Sequence, residues 1–399
     1  MDALAQRRPF LTALALSLGA AISLGMSRFS YALLLPPMRA DLDWSYLLAG
    51  SMNTCNALGY LLGALATPAL MRRFGAQHVL IGGAVLTGVF MLLSGVVVNA
   101  NLLLLQRLLA GMASALVFIA GGLLAARLGS LHPHRAGFLI GLYYGGTGFG
   151  IIAAALLVPA TQTAALAQGM AHTWQWAWLA LGGMCLLATA MMALPASSID
   201  GSAAAAGAQQ RFAIRPFAFG LAGYFMFGVG YIGYMTFVVA LLKEQGMASA
   251  MITLFYAALG TAVVVASRIW AGMLDRFKGG QSLALLNGLL CVATLLPALT
   301  AQPLIVFASG VLFGAVFLSV VASTTALVRH NSPPAAWPSG ISMFTIVFAF
   351  GQIVGPTVVG WIADGPGGLQ RGLLFSALAL FIGAALGWRQ RAVAQPHRH

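Results

Sequence analysis

Residues 196–216 read ASSIDGSAAAAGAQQRFAIRP, a long polar, low-complexity interval in a chain that is otherwise largely apolar. Small, flexible residues of this kind bury too little apolar surface to fold alone, so the interval reads as a linker. About the same length of chain lies on each side, and each side divides into six apolar segments. The expected organisation is therefore a first bundle over 1–195, a linker over 196–216, and a second bundle over 217–399 that ends in a short basic tail.

Charged residues make up 7% of the 399 residues and hydrophobic ones 60%. A soluble domain carries roughly 25% charged residues, so lipid must be the solvent for most of this chain. The 48 glycines fit helices packed backbone to backbone in a membrane. A net charge of +13 in a soluble protein would suggest nucleic acid, but here the cations sit mainly in alternate short loops, which argues against a nucleic-acid partner. The three cysteines, Cys55, Cys185 and Cys291, fall inside apolar segments and read as small buried hydrophobes. No zinc spacing, cofactor motif or nucleophile constellation is present, and no nucleotide-binding loop, so neither an enzyme nor an ATP-driven machine is indicated. The run that follows Gln6-Arg7-Arg8 is too long for a signal peptide and reads as an uncleaved first span.

A membrane-crossing helix needs about 20 mostly apolar residues. Twelve segments qualify: 11–36, 44–71, 78–98, 101–126, 136–159, 174–195, 217–242, 249–274, 281–300, 303–328, 338–362 and 370–388. Lipid offers no hydrogen bonds, so each must be helical. With the amino terminus inside, fourteen loop Lys and Arg residues fall on the inner side, against only Arg39, Lys243 and Arg371 outside. That bias places both termini and the linker in the cytoplasm.

The two halves also repeat. An offset of 203 positions pairs Arg73-Phe74 with Arg276-Phe277, Gly25 with Gly228, Tyr31 with Tyr234, Asp41 with Glu244, Gly111 with Gly314, Gly137 with Gly340 and Gly148 with Gly351. One register from the first span to the fifth implies two similar six-helix bundles related by an axis along the membrane normal. Binding sites in such proteins lie between the halves near the midplane.

Several strings resemble the major facilitator superfamily. Gly59-Tyr60-Leu61-Leu62-Gly63, ending in Arg72-Arg73-Phe74-Gly75, is similar to its signature between spans two and three, although Arg72 stands where an acid is expected. The second copy, Gly272-Met273-Leu274-Asp275-Arg276-Phe277, keeps the acid but has Lys278 where glycine is usual. Arg107-Leu108-Leu109-Ala110-Gly111 resembles the fourth-span signature. Arg28-Phe29, Asn56-Ala57-Leu58-Gly59-Tyr60 and Gly351-Gln352-Ile353-Val354-Gly355-Pro356 together resemble the YbfB/YjiJ-type branch, a bacterial group. The resemblance spans nearly the whole chain. It implies an all-α, twelve-helix transporter of the bacterial inner membrane, and it is silent on cargo.

Arg28 is the sharpest chemical signal. A charge at mid-bilayer costs roughly 2.5–3.5 kcal/mol on insertion scales, and the neighbours Gly25-Met26-Ser27 and Phe29-Ser30-Tyr31 offer no acid. Counted from the expected span ends, Arg28 lies about 12 Å deep and Arg107 about 9 Å deep. Two cations in low dielectric invite an anion, and arginine grips a carboxylate or phosphate by two bonds. The plainer reading of Arg107 is a strut bonded to backbone carbonyls and to Ser or Asn groups. Tyr224, Phe227, Tyr231 and Tyr234 share one helix face by their spacing, suited either to stacking on a solute or to ordinary packing.

Arg28, Arg107, Tyr231, Tyr234, Tyr143 and Gln352 are thus the candidate substrate contacts. No acid lies mid-span, which leaves Asp41 and Glu244 as candidates for ion coupling, against a plain reading as solvated loop charges. Arg73, Asp275, Arg276 and Arg268 are candidates for a cytoplasmic latch, against simple positive-inside anchoring. The expected function is secondary transport of a small organic solute, anionic rather than cationic, by a monomer. The alternatives are a proton-coupled exporter of hydrophobic or cationic compounds, and a non-transporting receptor or scaffold.

Overall fold

A computed structural model describes residues 8–199, 212–266 and 269–393. Linker residues 200–211, the latch candidate Arg268 and the last six residues lie outside the described residues. Among the described residues the regular structure is helical, with no strand. Twelve helices are long and apolar enough to cross a membrane. They are α1 (Pro9–Asp41), α2 (Tyr46–Phe74), α3 (Ala76–Ser94), α4 (Ala100–Leu131), α5 (Pro133–Ala167), α6 (Thr173–Ser197), α7 (Arg215–Glu244), α8 (Ser249–Ala266), α9 (Gln281–Leu299), α10 (Pro303–Asn331), α11 (Pro334–Ala363) and α12 (Gly368–Arg389). A short helix, Ala271–Arg276, follows α8. Below, the terminal side is the one that carries the start of α1 and the end of α12, and the far side is the opposite one.

Local chemistry starts the helices where the sequence turns polar. Ser45 caps α2 by accepting from Leu48 N at 3.1 Å, and Asn99 caps α4 by accepting from Asn101 N and Leu102 N. The first helix runs further than its expected end at residue 36. Two consecutive prolines, Pro36 and Pro37, remove two donors. Both still fit helical φ, and Leu42 N closes the last turn on Met38 O at 2.9 Å. Arg28 therefore sits about 20 Å from the far end of α1, near its middle, and not the shallower depth expected. Its segment, Ala21–Phe29, is π-helical, with Ser30 N reaching back five residues to Gly25 O at 3.1 Å.

The repeat read from the sequence is a repeat in space. In the first half α2 packs on α4, α3 on α4 and α6, and α1 on α5. In the second half α8 packs on α10, α9 on α10 and α12, and α7 on α11, the same scheme moved on by six helices. Without a hydrophobic force between helices in lipid, close packing must hold them, and small residues allow it. Gly111 of α4 lies so near the carbonyl of Asn56 on α2 that a Cβ would collide with it. Gly314 of α10 meets the carbonyl of Leu259 on α8 in the same way. Both members of this contact are displaced by the 203 positions found in the sequence. The halves join through α2 on α11, α5 on α8, and α1 on α7.

Candidate functional site

At the middle of that junction Arg28 is buried, with 2% of its surface exposed. Its Nη2 donates to Oε1 of Gln352 on α11, so this hydrogen bond is one of those that tie the two halves. Its guanidinium carbon stands 5.7 Å from the centre of the Tyr60 ring on α2. Its Nε is buried and has no acceptor. A hydrogen bond to a charged group contributes about 1.5–3 kcal/mol and a cation–π contact about 0.5–2 kcal/mol. Together these approach the roughly 2.5–3.5 kcal/mol insertion cost. The cation is thus tolerated, while its charge has no acidic partner among the described residues, because both partners are neutral.

Arg107, also buried at 3% exposure, is held differently. Nη1 donates to Ser27 O at 2.8 Å and Nη2 to Asn53 Oδ1 at 3.0 Å. Its guanidinium lies 5.1 Å from the Tyr31 ring and 5.5 Å from the Trp178 ring. Asn53 Nδ2 passes the connection to Thr236 Oγ1 of α7 at 2.8 Å, and Asn56 Nδ2 donates to the Arg107 carbonyl at 3.1 Å. Nη1 and Nη2 of Arg107 are taken up by fixed protein acceptors, which is the geometry of a strut, while its Nε, like that of Arg28, has no acceptor among the described residues.

A row of rings lies in the second half, and its Tyr231 is within electrostatic reach of Arg28. Tyr224, Phe227 and Tyr231 stack along α7, with centroids 5.6 Å and 4.7 Å apart. Phe348 of α11 lies over Phe227 at 5.3 Å and over Tyr231 at 5.6 Å. Tyr234 continues the face at its far end, but its ring stacks on Phe313 at 4.0 Å and its hydroxyl meets Ser309 Oγ at 2.9 Å. Tyr143 donates to Phe118 O at 2.7 Å, inside the first half. Of the sequence candidates, the structure brings Arg28, Gln352 and Tyr231 together at the seam. Tyr234 and Tyr143 are placed in helix packing.

The far side of the seam is tied shut. Asp364, just beyond α11, accepts from Tyr46 N at 2.7 Å and from Leu47 N at 2.8 Å, so a carboxylate of one half caps a helix of the other. The Tyr46 hydroxyl donates to Glu244 Oε1 at the end of α7. Arg39 lies 3.8 Å above the Tyr46 ring. Thr54 bonds Ile353 O at 2.8 Å and Thr357 Oγ1 at 2.7 Å, and Tyr256 OH donates to Phe29 O at 2.6 Å, beside Arg28. Asp41 has no part in this closure. It pairs with His172 Nδ1 at 2.6 Å and accepts from Trp174 Nε1, both within the first half.

On the terminal side Arg73 lies 5.2 Å from its neighbour Phe74, and Arg276 5.9 Å from Phe277. No ion pair joins Arg73, Asp275 or Arg276 to another described residue, so in this conformation no latch is formed among them.

Sequence reasoning missed Asp364, Asn53, Thr236, Tyr60 and Phe348. Asp364 is visible only as one of several acids at span ends. Its partners lie 318 and 317 positions away, and no local pattern links them.

Twelve membrane-length helices in two repeated halves that meet on a polar seam have the fold of a major facilitator transporter. Three solved structures, each 14% identical, share it. A bacterial homologue of the human lysosomal transporter Spinster, inward-facing and unoccupied, matches with a TM-score of 0.68 over 96% of this chain and 97% of its own. The nucleoside transporter NupG gives 0.69 over 98% and 100%. FucP, in the outward conformation, gives 0.63 over 96% and 99%. Residues 20–387 match the family described as "Uncharacterised MFS-type transporter YbfB", and the chain belongs to that family. It is therefore a multi-pass membrane protein and a secondary transporter rather than an enzyme. No curated protein matches the sequence.

Proposed function

We propose that the protein carries a small organic anion across the bacterial inner membrane by alternating access, with the anion held at Arg28. One observation carries this reading. A guanidinium at mid-span, 2% exposed, is bonded to the neutral amide of Gln352 in the other half. A carboxylate or phosphate entering there would find an uncompensated charge and the free Nε. It would also compete with Gln352 for the guanidinium, so binding loosens a bond that ties the halves. Such a differential effect on two conformations is what a transported ligand must exert.

The positive-inside count supports placing the terminal side, both termini and the linker in the cytoplasm. The conformation described is then inward-facing, closed outside by Asp364, Glu244 and Tyr46. Arg73, Asp275 and Arg276 are the groups proposed to latch the cytoplasmic side in the opposite state. The protein works as a monomer, each chain holding both halves of its site, with no nucleic-acid partner.

The test is a thermal-stability screen of the purified protein against organic acids and phosphates, with Arg28→Ala in parallel. A binder raises stability by mass action. Arg28→Ala is expected to weaken binding and uptake of the selected anion at least about tenfold, the worth of one charge-assisted bond. If every anion binds and moves equally well without Arg28, the proposal fails.

A second reading has one observation in its favour. Glu244 is a carboxylate engaged across the halves at the far-side closure, where protonation would release Tyr46. Proton-coupled export through Glu244 predicts that Glu244→Gln abolishes resistance to cationic or hydrophobic compounds while Arg28 substitutions are tolerated.

A further inference from the structure

Arg28 and Gln352 meet at mid-depth on the seam between the halves. Phe348 lies four residues before Gln352 on α11, hence on the same helix face, one turn toward the terminal side. Tyr60 approaches from α2, its ring 5.7 Å from the guanidinium carbon. Phe348 and Tyr60 both keep part of their surface exposed, unlike the buried Tyr231 behind them. Both rings therefore keep some accessible surface at the seam, near Arg28 and Gln352.

Phe348 and the α7 rings are aligned. The planes of Phe348 and Phe227 differ by 9°, those of Phe348 and Tyr231 by 21°, and those of Tyr231 and Phe227 by 20°. Rings packed only to fill an apolar core adopt edge-on contacts as readily as parallel ones. Here a set of nearly parallel rings, anchored on α7 and ending at the partly buried Phe348, stands near a guanidinium. A puckered aliphatic body would touch such a wall at a few atoms. A flat conjugated one covers it.

We propose that the cargo is a planar anion, an aromatic or similarly conjugated carboxylate. Its carboxylate takes the Arg28 guanidinium and its ring lies on the Phe348 face, with Tyr60 opposite. This rests on the anion reading above and goes beyond it by assigning the body of the ligand as well as its charge. The charged end is fixed by the first half and the flat end by the second. A ligand of this kind bridges the halves and takes the place of the Arg28–Gln352 bond at mid-depth.

The test uses the whole purified protein and matched probes, read as a thermal shift and as a binding constant. Benzoate and cyclohexanecarboxylate share charge and carbon count but differ in flatness. Trans-cinnamate and 3-cyclohexylpropanoate form a longer pair. Benzamide is flat and uncharged, and acetate is charged without a ring. Each ring face contributes roughly two- to tenfold in affinity, so the flat member of each pair should bind about five- to tenfold tighter than its saturated twin. Acetate and benzamide should bind far more weakly than benzoate. Phe348→Leu should erase the preference within each pair while carboxylate binding persists. Equal affinity within both pairs overturns the planar assignment and leaves the anion reading standing. Benzamide binding as well as benzoate overturns the anion reading itself. No shift with any flat carboxylate at millimolar concentration overturns the planar proposal.

Discussion

The two halves share one packing plan and part company at the seam. At the register position where α1 carries Arg28, α7 carries Tyr231. Where α4 carries Arg107, α10 carries Gly310, and the space beside it is taken by the ring of Phe255, which a Cβ at Gly310 would meet at 2.5 Å. The first half holds cations and the second holds rings, at matched places. Glycine contacts such as Gly111 on Asn56 and Gly314 on Leu259 are the same in both halves because backbone approach tolerates no side chain. Side chains aimed at the junction are under no such demand, so each half can supply a different part of one site.

The packing equivalence can be broken most visibly at those glycines. Gly111→Val and Gly314→Val should each lose about 1–3 kcal/mol through forced overpacking, seen as similar falls in thermal stability in detergent. If one variant is harmless, the halves are not packed alike. The two arginines come next. Arg107→Lys cannot reproduce the fork to Ser27 O and Asn53 Oδ1, and about 1.5–3 kcal/mol of stability should go with it. Arg28→Lys should cost less than Arg107→Lys, because one charge-assisted bond is disturbed at Arg28 and two at Arg107. Equal losses at the two sites would erase the distinction between strut and open cation.

A smaller effect belongs to the far-side closure. Asp364→Asn keeps the size of the cap on α2 but removes its charge, worth about 0.3–1 kcal/mol, and one of its two acceptor oxygens. Spin-label distances across the halves should then shift by up to about fivefold in population toward an opening on the far side. An unchanged distance distribution would mean that Asp364 does not bias the equilibrium. The smallest effect is expected at Asp41→Asn. Its partners His172 and Trp174 lie in its own half, so stability should fall slightly while the conformational balance stays put. A shift there as large as at Asp364 would overturn the separate roles of Asp41 and Glu244, which are register partners with different neighbours.

Much of this was legible before any fold was seen. Twelve spans follow from composition, since lipid tolerates only long apolar helices. Arg28 is marked out because its cost is high in any fold, and Tyr231 because it shares one helix face with Tyr224, Phe227 and Tyr234. The two arginines look alike in sequence, and only their neighbours separate them. Arg107 finds acceptors on α1 and α2, 80 and 54 positions away, whereas Arg28 finds one neutral amide 324 positions away. The π-helical turn under Arg28 and the Asn53–Thr236 link left no periodic trace.

Sequence alone determined the solvent of this chain, its spans and its internal repeat, because those depend on transfer energy and spacing summed over whole segments. Tertiary structure alone decided which groups each cation meets, which acids tie the far side, and that the rings run nearly parallel. Those outcomes depend on groups hundreds of positions apart arriving within hydrogen-bond or stacking reach, a geometry set by how helices cross.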